Sequence, residues 1–251
     1  MKKLDGRVWA IDEARGLAIF LMVVYHTFYD IVVIFGVNIP VFFSPFIQSL
    51  VVLFAGLFIF ISGTACHYSR NNLKRGALCF LFGLILTAGT ALIMPDEFIA
   101  FGILHMLGAC MMLFPLLRPV VKKIPPVIGI IASFLLWALL FHLPDGYLGF
   151  KGVFSIPLPR QPYDAGFLFW LGFPPAGFFS SDYFPLLPWI FCFLAGSFFG
   201  VLVKENRLPA WFYRPHFRPL AFIGRHTLIV YLLHQPVVYG VLSLIFWLIR
   251  I

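Results

Sequence analysis

The sequence predicts an all-α fold: a polytopic integral membrane bundle of about seven transmembrane helices, N-terminus in and C-terminus out. Composition is the first observation behind it. With 61% hydrophobic and only 11% charged residues and a mean hydropathy of +0.97, the chain has too little polar surface to coat a soluble globule of 251 residues. The second is the recurrence of apolar windows of about 20 residues, the length that crosses a bilayer as helix. The third is the placement of Lys and Arg, which alternates sharply from one inter-span loop to the next.

The windows fall near 14–36, 46–68, 76–95, 98–117, 125–143, 184–203 and 222–249. Basic residues precede the first span (Lys2, Lys3, Arg7, with Arg15 at its start) and fill the second-to-third loop (Arg70, Lys74, Arg75). They also fill the fourth-to-fifth loop (Arg118, Lys122, Lys123) and the sixth-to-seventh (Lys204, Arg207, Arg214, Arg218, then Arg225). Fifteen of eighteen thus lie on one side, and only Lys151, Arg160 and Arg250 on the other. The positive-inside rule makes the first side cytoplasmic. The net charge of +8 is spread over short loops rather than one patch, which argues for membrane topology and against nucleic acid as a partner.

The proline-rich segment 144–183 contains "FLFWLGF", too short to cross, and reads as an outer cap, re-entrant or interfacial. No linker separates a second domain, so residues 1–251 read as one unit. The N-terminus shows no cleavable signal pattern, and the first span reads as its own signal anchor. Cys66, Cys79, Cys110 and Cys192 lie singly, without the spacing of a zinc site or disulfide framework, and read as small core residues. Gly196 and Gly200 are spaced for close helix approach.

Function is sought among polar groups inside the bilayer. In "LMVVYHTFYD", His26 and Asp30 lie four apart on one helical face. A lone carboxylate in hydrocarbon costs on the order of 2.5–3.5 kcal/mol, so Asp30 needs a partner or water. As a partner of His26 it would fix the imidazole tautomer and raise its basicity, suiting it to general-base or acyl-acceptor chemistry. His105 in "FGILHMLG" and His234 in "YLLHQP" fall at similar depth, so the three imidazoles are expected to converge. The bland alternative is that each bonds a neighbouring helix. At the inner edge, Arg70, Lys74, Arg75 and Arg225 form a candidate phosphate-binding rim, with topology anchoring as the competing role. Asp12 and Arg15, three apart, read as a local ion pair at the helix entrance.

"IDEARGLAIFLMVVYHTFYD", "LFIFISGTACHYSRNNLKRG", "FIAFGILHMLGACMMLFPLL", "DYFPLLPWIFCFLAGSFFG" and "GRHTLIVYLLHQP", in this order over nearly the whole chain, resemble the catalytic domain of heparan-α-glucosaminide N-acetyltransferase-like proteins, a family of transmembrane acyltransferases. The resemblance implies acyl transfer from cytosolic acetyl-CoA, or another acyl-CoA, to an amine or hydroxyl of an acceptor, a sugar above all. Carried over residue by residue it covers Asp12, Arg15, Gly16, His26 and His105. It departs at His26, where the lysosomal branch carries asparagine, and in lacking that branch's extra spans. On this reading His26, Asp30 and His105 are catalytic. Arg15, Arg70, Lys74, Arg75 and Arg225 hold the CoA, and His234, Asp182 and Tyr183 contact the acceptor, with Asp164 a further candidate. The implied partners are membrane lipids, acyl-CoA, a saccharide or other small acceptor and a second copy in a homodimer, with no metal, in a bacterial-type inner (plasma) membrane. The competing classes are a proton-coupled transporter built on His26 and Asp30, which should show inverted repeats, and a membrane haem protein using two of the histidines.

Overall fold

The computed structural model describes residues 8–249. Among these, seven helices are long and apolar enough to cross a membrane: Trp9–Ile34, Pro45–Ala65, Asn72–Ile93, Ile103–Lys123, Pro126–Asp145, Leu186–Lys204 and Thr227–Ile249. Lys2, Lys3, Arg7 and Arg250, part of the charge asymmetry, lie outside the described residues.

In chain order, α1 (Trp9–Tyr29) runs into a π-helical turn, Asp30–Ile34, and is followed by α2 (Pro45–Ala65), α3 (Asn72–Ile93), α4 (Ile103–Lys123) and α5 (Pro126–Leu140). A short antiparallel hairpin, β1 (Tyr147–Phe150) and β2 (Phe154–Pro157), and a single turn, α6 (Gln161–Asp164), lie within the segment 144–183. Then come α7 (Leu186–Lys204), α8 (Arg218–Arg225) and α9 (Thr227–Ile249). The hairpin is a departure from an all-helical chain, and "FLFWLGF" forms only the 3-10 turn Phe169–Leu171.

Three helix starts lie five residues from the hydropathy windows, the first of them at Trp9 rather than near 14. The fourth helix begins at Ile103 rather than near 98, because residues 98–102 are tied as extended chain to the segment before α7. Ser181 N–H donates to Phe98 O and Phe184 N–H to Phe101 O, each at 3.0 Å, around a parallel bridge between Phe101 and Tyr183. The last helix begins at Thr227 rather than 222, because α8 ends separately and Thr227 Oγ1 donates to Gly224 O at 2.6 Å.

The chain divides into two compact units, Met1–Ile61 with Leu208–Ile251, and Ser62–Arg207. In the first, α1 packs on α8 and α9. Gly16 and Gly224 allow the α1–α8 contact: a Cβ on Gly16 would stand 1.9 Å from Leu220 O, and one on Gly224 1.9 Å from Asp12 O. The rest of "IDEARG" fastens the same contact. Arg15 Nη1 pairs with Asp12 Oδ1 at 3.6 Å and donates to Gly224 O at 3.4 Å. Glu13 Oε1 accepts from the backbone N–H groups of His216 and Phe217 at 2.7 and 2.9 Å, closing the N-terminal end of α8.

In the second unit, α3 packs on α4, and α7 on both α4 and α5. Gly76 and Gly108 face each other across α3 and α4, where a Cβ on either would come within 2.8 Å of the other's carbonyl oxygen. Thr64 Oγ1 donates to Gly196 O at 2.8 Å, and Gly200 leaves room for the His67 ring, the close approach its spacing suggested. All four cysteines are free and buried.

Candidate active site

The first unit carries a ladder of two polar rungs between α1 and α9. In the upper rung the His26 and His234 rings lie with centroids 5.1 Å apart, tilted by 57°. His26 is otherwise edged by Tyr25 and Tyr29, and no hydrogen bond fixes its tautomer among the described residues. His234 Nδ1 lies 2.6 Å from Tyr231 O. A carbonyl only accepts, so Nδ1 carries the proton and Nε2 the lone pair. That Nε2 is buried and has no hydrogen-bond partner in the structure.

The lower rung differs from expectation. Asp30, fully buried at 0% exposure, accepts at Oδ1 from Gln235 Nε2 at 2.6 Å, rather than from His26. The backbone from His26 to Asp30 is ordinary α-helix, the Asp30 N–H bonding back to His26 O, and the π-helical turn begins only at Asp30, where Phe35 N–H bonds back five residues to Asp30 O. Gln235 was not singled out by sequence reasoning. Its signal was available: a second polar residue beside a histidine inside an apolar span, followed by Pro236. Its Oε1, like His234 Nε2, is a buried acceptor without a donor.

His105 belongs to the second unit, in the first turn of α4 rather than a third of the way along a span. It is 2% exposed, stacked on Phe101 with Phe80 edge-on, and Gly83 leaves the space for its ring. Nδ1 accepts the Gly102 N–H at 3.2 Å, so Nε2 bears the proton and faces Thr87 Oγ1 at 3.4 Å. Both nitrogens are thus engaged. Asp182 Oδ2 accepts the Ile103 N–H at 3.0 Å, capping α4. Burial pushes the Asp182 carboxyl up to about 6, against the downward pull of that hydrogen bond. Tyr183 donates its hydroxyl to Phe169 O at 2.6 Å, and burial raises its pKa, with Tyr163 adding to the rise. Asp164 is exposed on α6.

The basic residues divide between the units. Arg15 is held in the α1–α8 contact, and Arg225 is exposed, its Nε donating to Ala221 O at 3.2 Å and its guanidinium 5.7 Å from the Phe222 ring. Arg70, Lys74 and Arg75 are exposed at the start of α3. Beside Arg70 a cavity of about 200 Å³ opens, lined also by Ser69, Asn72, Phe114 and Arg118. Among the described residues no three His, Cys, Asp or Glu side chains are grouped to hold a metal ion.

No curated protein and no solved structure matches the chain. The family model for the heparan-alpha-glucosaminide N-acetyltransferase catalytic domain matches residues 7–236, which takes in the α1–α8 fastening, the ladder as far as Pro236 and the His105 corner. With a match over that much of its length, the chain belongs to the heparan-alpha-glucosaminide N-acetyltransferase catalytic-domain family of membrane acyltransferases.

Proposed function

We propose that this protein transfers an acyl group, acetyl in the simplest case, from acyl-CoA on the cytosolic side to an amine or hydroxyl of an acceptor, a saccharide by family analogy. The N-terminus is cytoplasmic and the C-terminus outside in this reading, supported by the basic loops. The observation that carries it is the ring contact of His26 with His234, whose buried Nε2 bears a free lone pair, beside the buried Asp30–Gln235 hydrogen bond. Two imidazoles in an apolar setting, one with a buried free lone pair, are a proton acceptor and an anchor for an incoming N–H or O–H.

His234 Nε2 accepts the hydrogen bond of the acceptor group and orients it. For an amine, His26 takes the second proton as the nitrogen attacks the thioester carbonyl; for a hydroxyl, whose single proton is held by His234 Nε2, that nitrogen takes it as the oxygen attacks. The C–S bond then breaks, and the departing thiolate receives a proton, restoring both imidazoles to neutrality. Asp30 and Gln235 hold the two helices in register at this level. In the second unit the exposed cations Arg70, Lys74 and Arg75 meet the phosphates; Arg225, exposed in the first unit, is a separate candidate for the same chemistry, and Arg15 holds the α8 end in place. His105 and Asp182 serve from the second unit by fixing the turn that starts α4, while Tyr183 holds the cap beside it.

The test is transfer of radiolabelled acetyl from acetyl-CoA to a panel of amino sugars and sugar alcohols by the purified, reconstituted protein. Label in an acceptor, lost in His26→Ala and His234→Ala, is the expected result. Proton-linked substrate flux in the same vesicles, with no acyl transfer, would instead establish the transporter.

A further inference from the structure

The cavity beside Arg70 lies wholly within the second unit, between the loop that enters α3 and the C-terminal half of α4. Its wall carries two guanidinium groups, Arg70 and Arg118, and no acidic side chain. Arg118 lies outside the basic rim read from the sequence, because it is separated from Arg70 by two helices in the chain. The antiparallel packing of α3 on α4 brings the two to one cavity.

Two further features point to an anion, the start of α3 and the Ser69 hydroxyl. Asn72 and Leu73, the first residues of a 22-residue helix, line the cavity. The opening N–H groups of a helix have no intrahelical acceptor and concentrate about half a positive charge at that end. The Asn71 side chain already accepts the Lys74 N–H at 2.8 Å, so the cap leaves the two earlier amides to the cavity side. Ser69 Oγ and Asn72 Oδ1 are both buried without a hydrogen-bond partner. The orientation of the Asn72 amide is set by its Nδ2, which donates to Cys66 O at 2.9 Å, so its oxygen is the free end. Buried polar atoms are satisfied in the great majority of cases, so the Ser69 hydroxyl calls for a partner it can donate to, whereas the Asn72 oxygen calls for a donor. Ser69 supplies a hydroxyl donor to an anion, while Asn72 Oδ1 accepts from a guanidinium drawn inward and holds it there.

The volume narrows the class. About 200 Å³ is below the usual range for a whole drug-sized ligand, so the cavity accommodates a phosphate or diphosphate and leaves the rest of the molecule outside. We propose that this cavity is a phosphate-binding site in which Arg70 and Arg118 clamp the phosphate from two sides and Ser69 donates to it. On the reading given under Proposed function, on which this inference rests for its source, the phosphate belongs to the nucleotide end of the acyl donor. An anionic phospholipid headgroup offers the same chemistry.

Binding is measured on detergent-purified full-length protein by calorimetry with four probes: CoA, adenosine 3′,5′-bisphosphate, pantetheine and short-chain phosphatidic acid. The protein is wild type, Arg70→Ala, Arg118→Ala, Arg118→Lys and Ser69→Ala, each checked for a single gel-filtration peak and a cooperative melt. Wild type should bind CoA and the bisphosphate saturably and ignore pantetheine, which has no phosphate. Arg70→Ala and Arg118→Ala should each weaken phosphate binding by about tenfold or more, since each removes a charge-assisted contact. Arg118→Lys should recover part of the loss, a point charge replacing a forked one. Saturable binding of phosphatidic acid alone, lost in the same variants, keeps the site and removes the acyl-CoA reading. Acetyl transfer and CoA affinity unchanged in both folded arginine variants keep the acyltransferase and overturn the site. Failure of folded wild type to bind any phosphate probe overturns it as well.

Discussion

His26 and His234 meet at 5.1 Å on α1 and α9, and a tight glycine contact joins α1 to α8, the helix before α9. Gly16 precedes His26 by ten residues and Gly224 precedes His234 by ten, and these two glycines form the tight α1–α8 contact. Along the continuous helix α1, ten residues at 1.5 Å each put His26 about 15 Å from Gly16, while His234 lies on α9, beyond the break after α8. A methyl at either glycine would strike a backbone carbonyl, which no rotamer change relieves. Gly16→Ala should therefore cost about 1–3 kcal/mol or more of stability and lower transfer with it. Gly240→Ala is the control: nothing stands within 4 Å of its Cβ, and in mid-helix it should raise the melting temperature slightly.

If the imidazole pair does the chemistry, the two histidines differ in what their loss removes. With an amine acceptor, His26→Ala should lower kcat by about 10²–10⁴-fold, the usual contribution of a general base, with the affinity for CoA intact. His234→Ala should instead raise KM for the acceptor as well as lowering kcat, because its Nε2 is the buried acceptor that meets the incoming N–H or O–H. Steady-state kinetics with varied acceptor separate the two. Equal effects of both substitutions on kcat alone would remove His234 from acceptor binding.

Asp30 and Gln235 form the second rung, and their coupling is measurable by itself. Gln235→Ala removes the amide that donates to a fully buried carboxyl oxygen, a hydrogen bond worth about 1.5–3 kcal/mol when the acceptor is charged. A double-mutant cycle with Asp30→Asn, read from thermal or chemical unfolding in detergent, should give a coupling energy of about 0.5–3 kcal/mol. Additive effects would mean that the two side chains act independently.

How much of this was legible in the sequence follows from which forces are local. The spans were, because length and apolarity of a helix in lipid are properties of one segment; four of the seven windows agree with the helices to within four residues, and the first helix starts five residues before its window. The fourth and seventh shifted where tertiary ties override hydropathy: Phe98 and Phe101 are apolar enough to read as helix, yet their carbonyls accept from Ser181 and Phe184. His26, Asp30 and His234 were found as polar groups in lipid-soluble stretches. That the bond runs from Asp30 to Gln235 was not legible, since it depends on α9 lying against α1, more than 200 residues apart in the chain. The motif "IDEARG" was visible as a block. Its division of labour, with Glu13 closing α8, Arg15 reaching Gly224 O and Gly16 admitting Leu220, exists only once α8 is in place.

The Asp182 cap makes stability depend on pH in a direction opposite to most carboxylates. Its pKa is raised from the usual 3.8 to about 6, with burial the larger cause and the Ile103 N–H bond the smaller, opposing one. The folded chain therefore binds this proton more tightly than the unfolded chain. Between about pH 4 and 6 the unfolded state holds fewer protons here, so the contribution of Asp182 to stability falls as pH rises through that window and is level above it. Melting curves of wild type and Asp182→Asn in detergent, from pH 4 to 8, isolate this group from the other carboxylates. The wild-type melting temperature minus that of the Asn variant should decline up to about pH 6 and then flatten. Asp182→Ala loses the cap itself and should cost about 0.5–2 kcal/mol at both ends of the range. A difference curve that instead rises with pH would mean that the hydrogen bond to Ile103 outweighs burial and that the carboxylate sits there as a stabilising anion at the N-terminus of α4.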